Sequence, residues 1–120
     1  MSIRRKKILV ADDDEDILDV IRIILEGAGY NVTTISRGEE VFEIKEDFPD
    51  LFLLDISMAG IDGRDICRYL KNQSSTKHIP VILFSANKEI EKIALEARAD
   101  DFICKPFDLD VLLQKALKYS

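Results

Sequence analysis

Lys7-Ile8-Leu9-Val10-Ala11 runs straight into Asp12-Asp13-Asp14-Glu15-Asp16. A short aliphatic run stopped by a block of acids reads as a buried strand that ends at a polar edge. Three more runs have this form. Leu51-Phe52-Leu53-Leu54 ends on Asp55, Val81-Ile82-Leu83-Phe84 on Ser85, and Phe102-Ile103-Cys104 on Lys105. In a parallel sheet all four endings lie along one edge, where open α/β sheets place their ligand sites. Three carboxylates, a hydroxyl and an ammonium meeting there make a site for a divalent cation and a phosphoryl group.

Between these runs the apolar period changes from that of a strand to that of a helix. Ile17, Ile21, Ile24, Leu25 and Ala28 share one helical face, and Gly29 is placed to stop that helix. Asn31 to Ile35 reads as a second strand. Ser36 with Glu39 forms a capping-box signature, which predicts a second helix through Val41, Phe42 and Ile44. Ile56 to Gly63 is a loop, Arg64 to Asn72 a third helix and Lys88 to about Ala97 a fourth. Asp108 is placed to cap a fifth helix carrying Leu112, Leu113 and Leu117. Five strand–helix units predict a doubly wound parallel α/β sheet with helices on both faces. A closed barrel needs eight units and about 250 residues. The unbroken apolar runs suit central strands, and the mixed second and fifth suit edges.

The 120 residues form one domain, 47% apolar and 33% charged, with a net charge of −6. That charge argues against nucleic-acid binding by this domain. Arg4-Arg5-Lys6-Lys7 is a solvated lead-in to the first strand. The four apolar residues after it, Ile8 to Ala11, are too few for a signal peptide or a membrane span. Cys67 and Cys104 have no metal-ligand spacing and no partner pattern, which points to a reducing cytoplasm.

The acid block exceeds what helix capping needs. Asp14 suffices as a cap, and packing further carboxylates beside it is repulsive unless a cation offsets them. An EF-hand fails, because Ile17 and Ile23 stand where that loop needs glycine and glutamate. Asp55, alone, reads equally well as a loop anchor. With Asp12 and Asp13 on a neighbouring strand it becomes a candidate ligand and nucleophile. Mg2+ suits such a place, since it binds through one or two carboxylates plus phosphate oxygens. Ser85 and Lys105 are ordinary strand-end residues taken singly. Together they supply the donor and the fixed positive charge that phosphoryl transfer requires.

Ile8-Leu9-Val10-Ala11-Asp12-Asp13, Leu53-Leu54-Asp55-Ile56-Ser57-Met58, Ser85-Ala86 and Lys105-Pro106-Phe107 together resemble the receiver domain of two-component response regulators. The resemblance spans nearly the whole chain, so residues 1–120 are expected to be one receiver domain. It implies a flavodoxin-like sheet of order 2-1-3-4-5. It also implies that Asp55 is the phosphoacceptor, taking a phosphoryl group from a histidine kinase or phosphotransfer protein. Asp13, Asp55 and the Ser57 carbonyl match the family's Mg2+ ligands, and Asp12 the acid that holds the ion through water. Ser85 matches the hydroxyl that turns to the phosphoryl group, Lys105 the pocket lysine, and Phe102 the switch aromatic. The protein would be no enzyme acting on a separate substrate, but would catalyse its own phosphoryl transfer and dephosphorylation.

By the same resemblance the Lys105–Pro106 bond is expected to be cis. The signalling surface is expected on the fourth helix, fifth strand and fifth helix, facing an output domain, an effector or a second copy. Three positions depart from the family pattern. Ala59 replaces a usual proline, Arg98 a usual glycine after the fourth helix, and Phe102 a usual tyrosine.

Other functions fit less well. A flavin binder on the same fold needs a hydroxyl- and glycine-rich first loop, and here that loop is acidic. An aspartate-nucleophile phosphatase built on Asp12 and Asp14 leaves Asp55 idle. A degenerate receiver that serves only as an interaction module has no need of the full acid, hydroxyl and lysine set.

Overall fold

The computed structural model describes residues 5–120, so Arg4 of the basic run lies outside the described residues. Arg5 and Lys6 are exposed ahead of the first strand. Five parallel strands follow: β1 (Lys7–Ala11), β2 (Asn31–Ile35), β3 (Leu51–Asp55), β4 (Val81–Ser85) and β5 (Asp101–Cys104). Their order in the sheet is β2-β1-β3-β4-β5, the doubly wound arrangement expected from the sequence.

Strand side chains alternate between the two faces. Ile8, Val10, Leu51, Leu53, Ile82 and Phe84 pack with Leu18, Ile21 and Leu25 of α1 (Glu15–Gly27) and with Leu112 and Ala116 of α4 (Leu109–Tyr119). Leu9, Ala11, Phe52, Leu54, Val81 and Leu83 pack on the other face. Their partners there come from a 3₁₀ helix (Gly38–Glu43), α2 (Gly63–Lys71) and α3 (Ile90–Glu96). The three central strands are almost wholly buried, and both edge strands are partly exposed.

Helix ends follow local chemistry. Asp14 accepts the N–H groups of Asp16 and Ile17, so it caps α1 as expected. After α1, Gly29 at φ +99 closes a paired hydrogen-bond motif, with Gly29 N–H to the Glu26 carbonyl and Tyr30 N–H to the Leu25 carbonyl. Arg98 does the same after α3, at φ +63, with bonds from Arg98 and Ala99 to Leu95 and Ala94. It therefore takes the backbone conformation that glycine prefers.

Three expectations need correction. The second helix is the six-residue 3₁₀ helix, and its N-cap is Arg37 with no side-chain bond, not Ser36. The run is too short to repay α-helix nucleation. Gly38 also sits so tightly on Ile61 and Ile66 that a Cβ there would lie 2.5 Å from Ile61 Cγ2, so packing sets the path. Asp108 precedes α4 without a side-chain cap bond. The fourth predicted helix starts at Ile90, because the Asn87 side chain takes the Glu89 N–H and forms a turn first. Within the loop after Asp55, Ser57–Met58 and Ile61–Asp62 pair as a small antiparallel ribbon. The Lys105–Pro106 bond is cis.

Candidate functional site

β1 and β3 are hydrogen-bonded neighbours, with Ala11 opposite Leu54. Asp12 and Asp55 therefore emerge side by side at the same edge. Both are buried, at 1% and 4% exposure, whereas Asp13 is exposed. One carboxylate oxygen from each of Asp12, Asp13 and Asp55 lies within 4.8 Å of the others. Asp12 Oδ1 accepts the Asp14 N–H at 2.9 Å, and Asp13 Oδ2 accepts the Ala59 N–H at 3.0 Å. The first bond orders the acid block internally, and the second ties it to the loop that follows Asp55.

Lys105 reaches the cluster from beyond β5. Its Nζ donates to Asp12 Oδ2 at 2.9 Å and lies 3.3 Å from Asp55 Oδ1. The same ammonium sits 4.8 Å from the Phe84 ring centroid, where the π face favours a cation. Burial opposes its charge, yet the Asp12 hydrogen bond and the Asp55 charge hold its pKa above the ordinary lysine value. Asp55 is perturbed the other way. Burial first, then the charge of Asp12, push its pKa up to about 6 against the pull of Lys105.

Three carboxylates facing one ammonium leave the cluster with excess negative charge. An all-oxygen, partly buried donor set of this kind fits a hard cation such as Mg2+. Ser85 ends β4 next to Asp55, since Asp55 pairs with Phe84 in the sheet. Its buried Oγ accepts the Asn87 N–H at 3.0 Å. Ser57 is exposed at the start of the ribbon, two residues past Asp55.

Phe102 is not gathered into the cluster. It lies on β5 opposite Leu83, half-buried, with Lys115 Nζ 4.8 Å from its ring centroid. Lys115 also donates to Asp101 Oδ1 at 2.9 Å and to the Phe102 carbonyl at 2.5 Å.

Sequence reasoning passed over two supports of the site. A Cβ on Gly63 would lie 2.1 Å from the Asp55 carbonyl oxygen, so only glycine lets α2 begin against the end of β3. Gly63 in a loop was visible in the sequence, but its contact with Asp55 depends on the fold. The Phe84 ring under Lys105 was likewise hidden inside an apolar strand.

Residues 8–117 match the family described as the response regulator receiver domain. The chain belongs to that family. This receiver domain is 36% identical over 112 residues to the phosphate regulon transcriptional regulatory protein PhoB of Rhizobium meliloti (strain 1021), covering 91% of this chain and 49% of that protein. It is 40% identical over 105 residues to the alkaline phosphatase synthesis transcriptional regulatory protein PhoP of Bacillus subtilis (strain 168), covering 85% and 43%. The chain thus spans just under half the length of these curated relatives.

Among solved structures it resembles the receiver domain of the sensor histidine kinase PA1611 from Pseudomonas aeruginosa PAO1. The TM-score is 0.87 at 25% identity, covering 97% of this chain and 98% of that one, and that structure holds a magnesium ion in its active-site cleft. No helix among the described residues is long and apolar enough to cross a membrane.

Proposed function

We propose that residues 1–120 act as one phosphoacceptor domain in which Asp55 takes a phosphoryl group from a histidine kinase or phosphotransfer protein. The observation that carries this reading is the buried Asp55 carboxylate, 3.3 Å from Lys105 Nζ and within 4.8 Å of two further carboxylates. With a pKa of about 6, Asp55 is mostly ionised near neutral pH and more basic than an ordinary aspartate. One of its oxygens forms the new O–P bond as the donor's P–N bond breaks, and the imidazole leaves with that electron pair. Lys105 offers its positive charge to the incoming phosphoryl oxygens. The Ser85 hydroxyl, at the adjacent strand end, donates to another once it turns from its own loop.

Asp13, Asp55 and the Ser57 carbonyl would hold Mg2+, with Asp12 acting through water. Bound there, the ion offsets the repulsion between the acid cluster and an anionic phosphoryl group. Water attacking the same phosphorus later returns Asp55 to its free state, so the domain catalyses both its own labelling and its loss. A kinase-supplied phosphoryl group places the domain in the cytoplasm.

The output face comprises the region from Ser85 through α3, β5 and α4. Ser85 turning toward the phosphoryl group vacates space, and Phe102 rotates inward to fill it. A partner on that face, whether an output domain, an effector or a second copy, then meets a changed surface.

Intact-mass spectrometry after incubation with a small acyl phosphate tests the reading. One added phosphoryl group is expected with Mg2+ and none with a chelator. Equal labelling of an Asp55→Asn variant would overturn the assignment.

A further inference from the structure

The Ala59 amide meets the acid cluster directly. It donates to Asp13 Oδ2 at 3.0 Å across 46 residues of sequence, the one hydrogen bond that this exposed carboxylate accepts among the described residues. Ala59 and Gly60 form the turn of the small ribbon, and Gly60 has φ +83. Ala59 itself keeps a negative φ, since Asp47 and Arg98 are the non-glycine residues with positive values among the described residues. Positive φ at the second central position alone is a type II turn, whose first central position favours proline. A proline at 59 would therefore suit the backbone, and Met58, already in an extended strand, would accept a following proline. What proline cannot supply is the N–H.

We propose that the Ala59 N–H is a positioning group for the cation site, holding the otherwise free Asp13 carboxylate beside those of Asp12 and Asp55. This rests on the reading that these three acids bind Mg2+. An exposed aspartate without that bond samples several rotamers and loses them when a cation binds. Held by the amide, it has already lost them. The bond also ties the loop after Asp55 to the acid block at the end of β1. An amide hydrogen bond thus does the ordering that a proline would otherwise do through its ring, and it acts on a ligand as well as on the loop.

The test is a calorimetric Mg2+ titration of the whole chain, with Ala59→Pro and Ala59→Ser compared to the unaltered protein. Loss of an outer-sphere donor typically weakens metal binding by about tenfold or more, and for this exposed carboxylate a roughly three- to tenfold loss is expected in Ala59→Pro. Ala59→Ser, which keeps the N–H, should bind within about twofold of the unaltered chain. A thermal melt without metal should show Ala59→Pro no less stable, because proline reduces the freedom of the unfolded chain. A second readout does not depend on that variant folding. Without metal, Asp13→Ala should shift the Ala59 amide signal in an NMR spectrum. Unchanged Mg2+ affinity in a folded Ala59→Pro, or an Ala59 amide indifferent to Asp13→Ala, overturns the proposal. If the unaltered chain binds no Mg2+, the metal reading itself falls and this proposal falls with it.

Discussion

Asp55 ionises against its surroundings, since burial and the neighbouring Asp12 both disfavour a further negative charge there. Its pKa of about 6 lies above that of an unfolded aspartate, so the folded chain holds this proton more tightly. The stability this contributes is full below the unfolded pKa, near 4, and is lost as pH rises through 6. Ionised Asp55 therefore costs the fold on the order of 2–3 kcal/mol near neutral pH. Asp55→Asn should raise the denaturant midpoint at pH 8 and lose that advantage as pH falls toward 4. Added Mg2+ should stabilise the unaltered chain and leave the variant nearly unmoved. A variant less stable than its parent at pH 8 would show that the Lys105 contact outweighs burial. The acids, Ser85 and Lys105 were legible in sequence because each stands where an apolar strand ends. Gly63, Phe84 and the Ala59 amide were not, because each acts through a contact formed only by the folded loops.

Arg98 shows how an element's end can be read where its middle cannot. Its place after α3 suggested a glycine conformation, and φ is +63. Arg98→Gly removes a left-handed strain of about 1–2 kcal/mol and adds unfolded-chain entropy worth about 0.5–1. It also loses an exposed hydrogen bond to Asn72 Oδ1. The balance should be a small gain, under about 1 kcal/mol, seen as a higher midpoint in a urea melt; a lower one would contradict the strain argument.

The 3₁₀ helix departs from the capping-box expectation because that pattern is local, whereas the packing of Gly38 on Ile61 and Ile66 is not. β5 and α4 hold the other hidden feature. Lys115 covers the Phe102 ring and also binds Asp101 and the Phe102 carbonyl. On the proposed switch, inward rotation of Phe102 would give up that cation–π contact, so Lys115 would favour the outward ring where a tyrosine hydroxyl is lacking. Amide NMR with Mg2+ and a phosphoryl mimic should therefore move Phe102, Lys115 and the rest of α4. Shifts confined to the loops at Asp12, Asp55 and Ser85 would reject this coupling.

At the scale of the whole molecule, the sheet order makes one site from four distant segments. β1, β3 and β4 lie side by side, and β5 brings Lys105 to the same edge from beyond β4. The central strands were legible from their unbroken apolar runs, and the edges from their mixed ones. Strand order itself came from family resemblance, since periodicity alone does not distinguish one parallel arrangement from another. The chain spans just under half the length of PhoB and PhoP. The most direct measurement is tandem mass spectrometry of the chain after labelling by a small acyl phosphate with Mg2+, the acyl phosphate on the protein being trapped by borohydride reduction before digestion. The modification should map to Asp55 and to no other carboxylate. A modification at Asp12 or Asp13, or none under conditions where Mg2+ binds, would contradict the assignment of Asp55 as the phosphoacceptor.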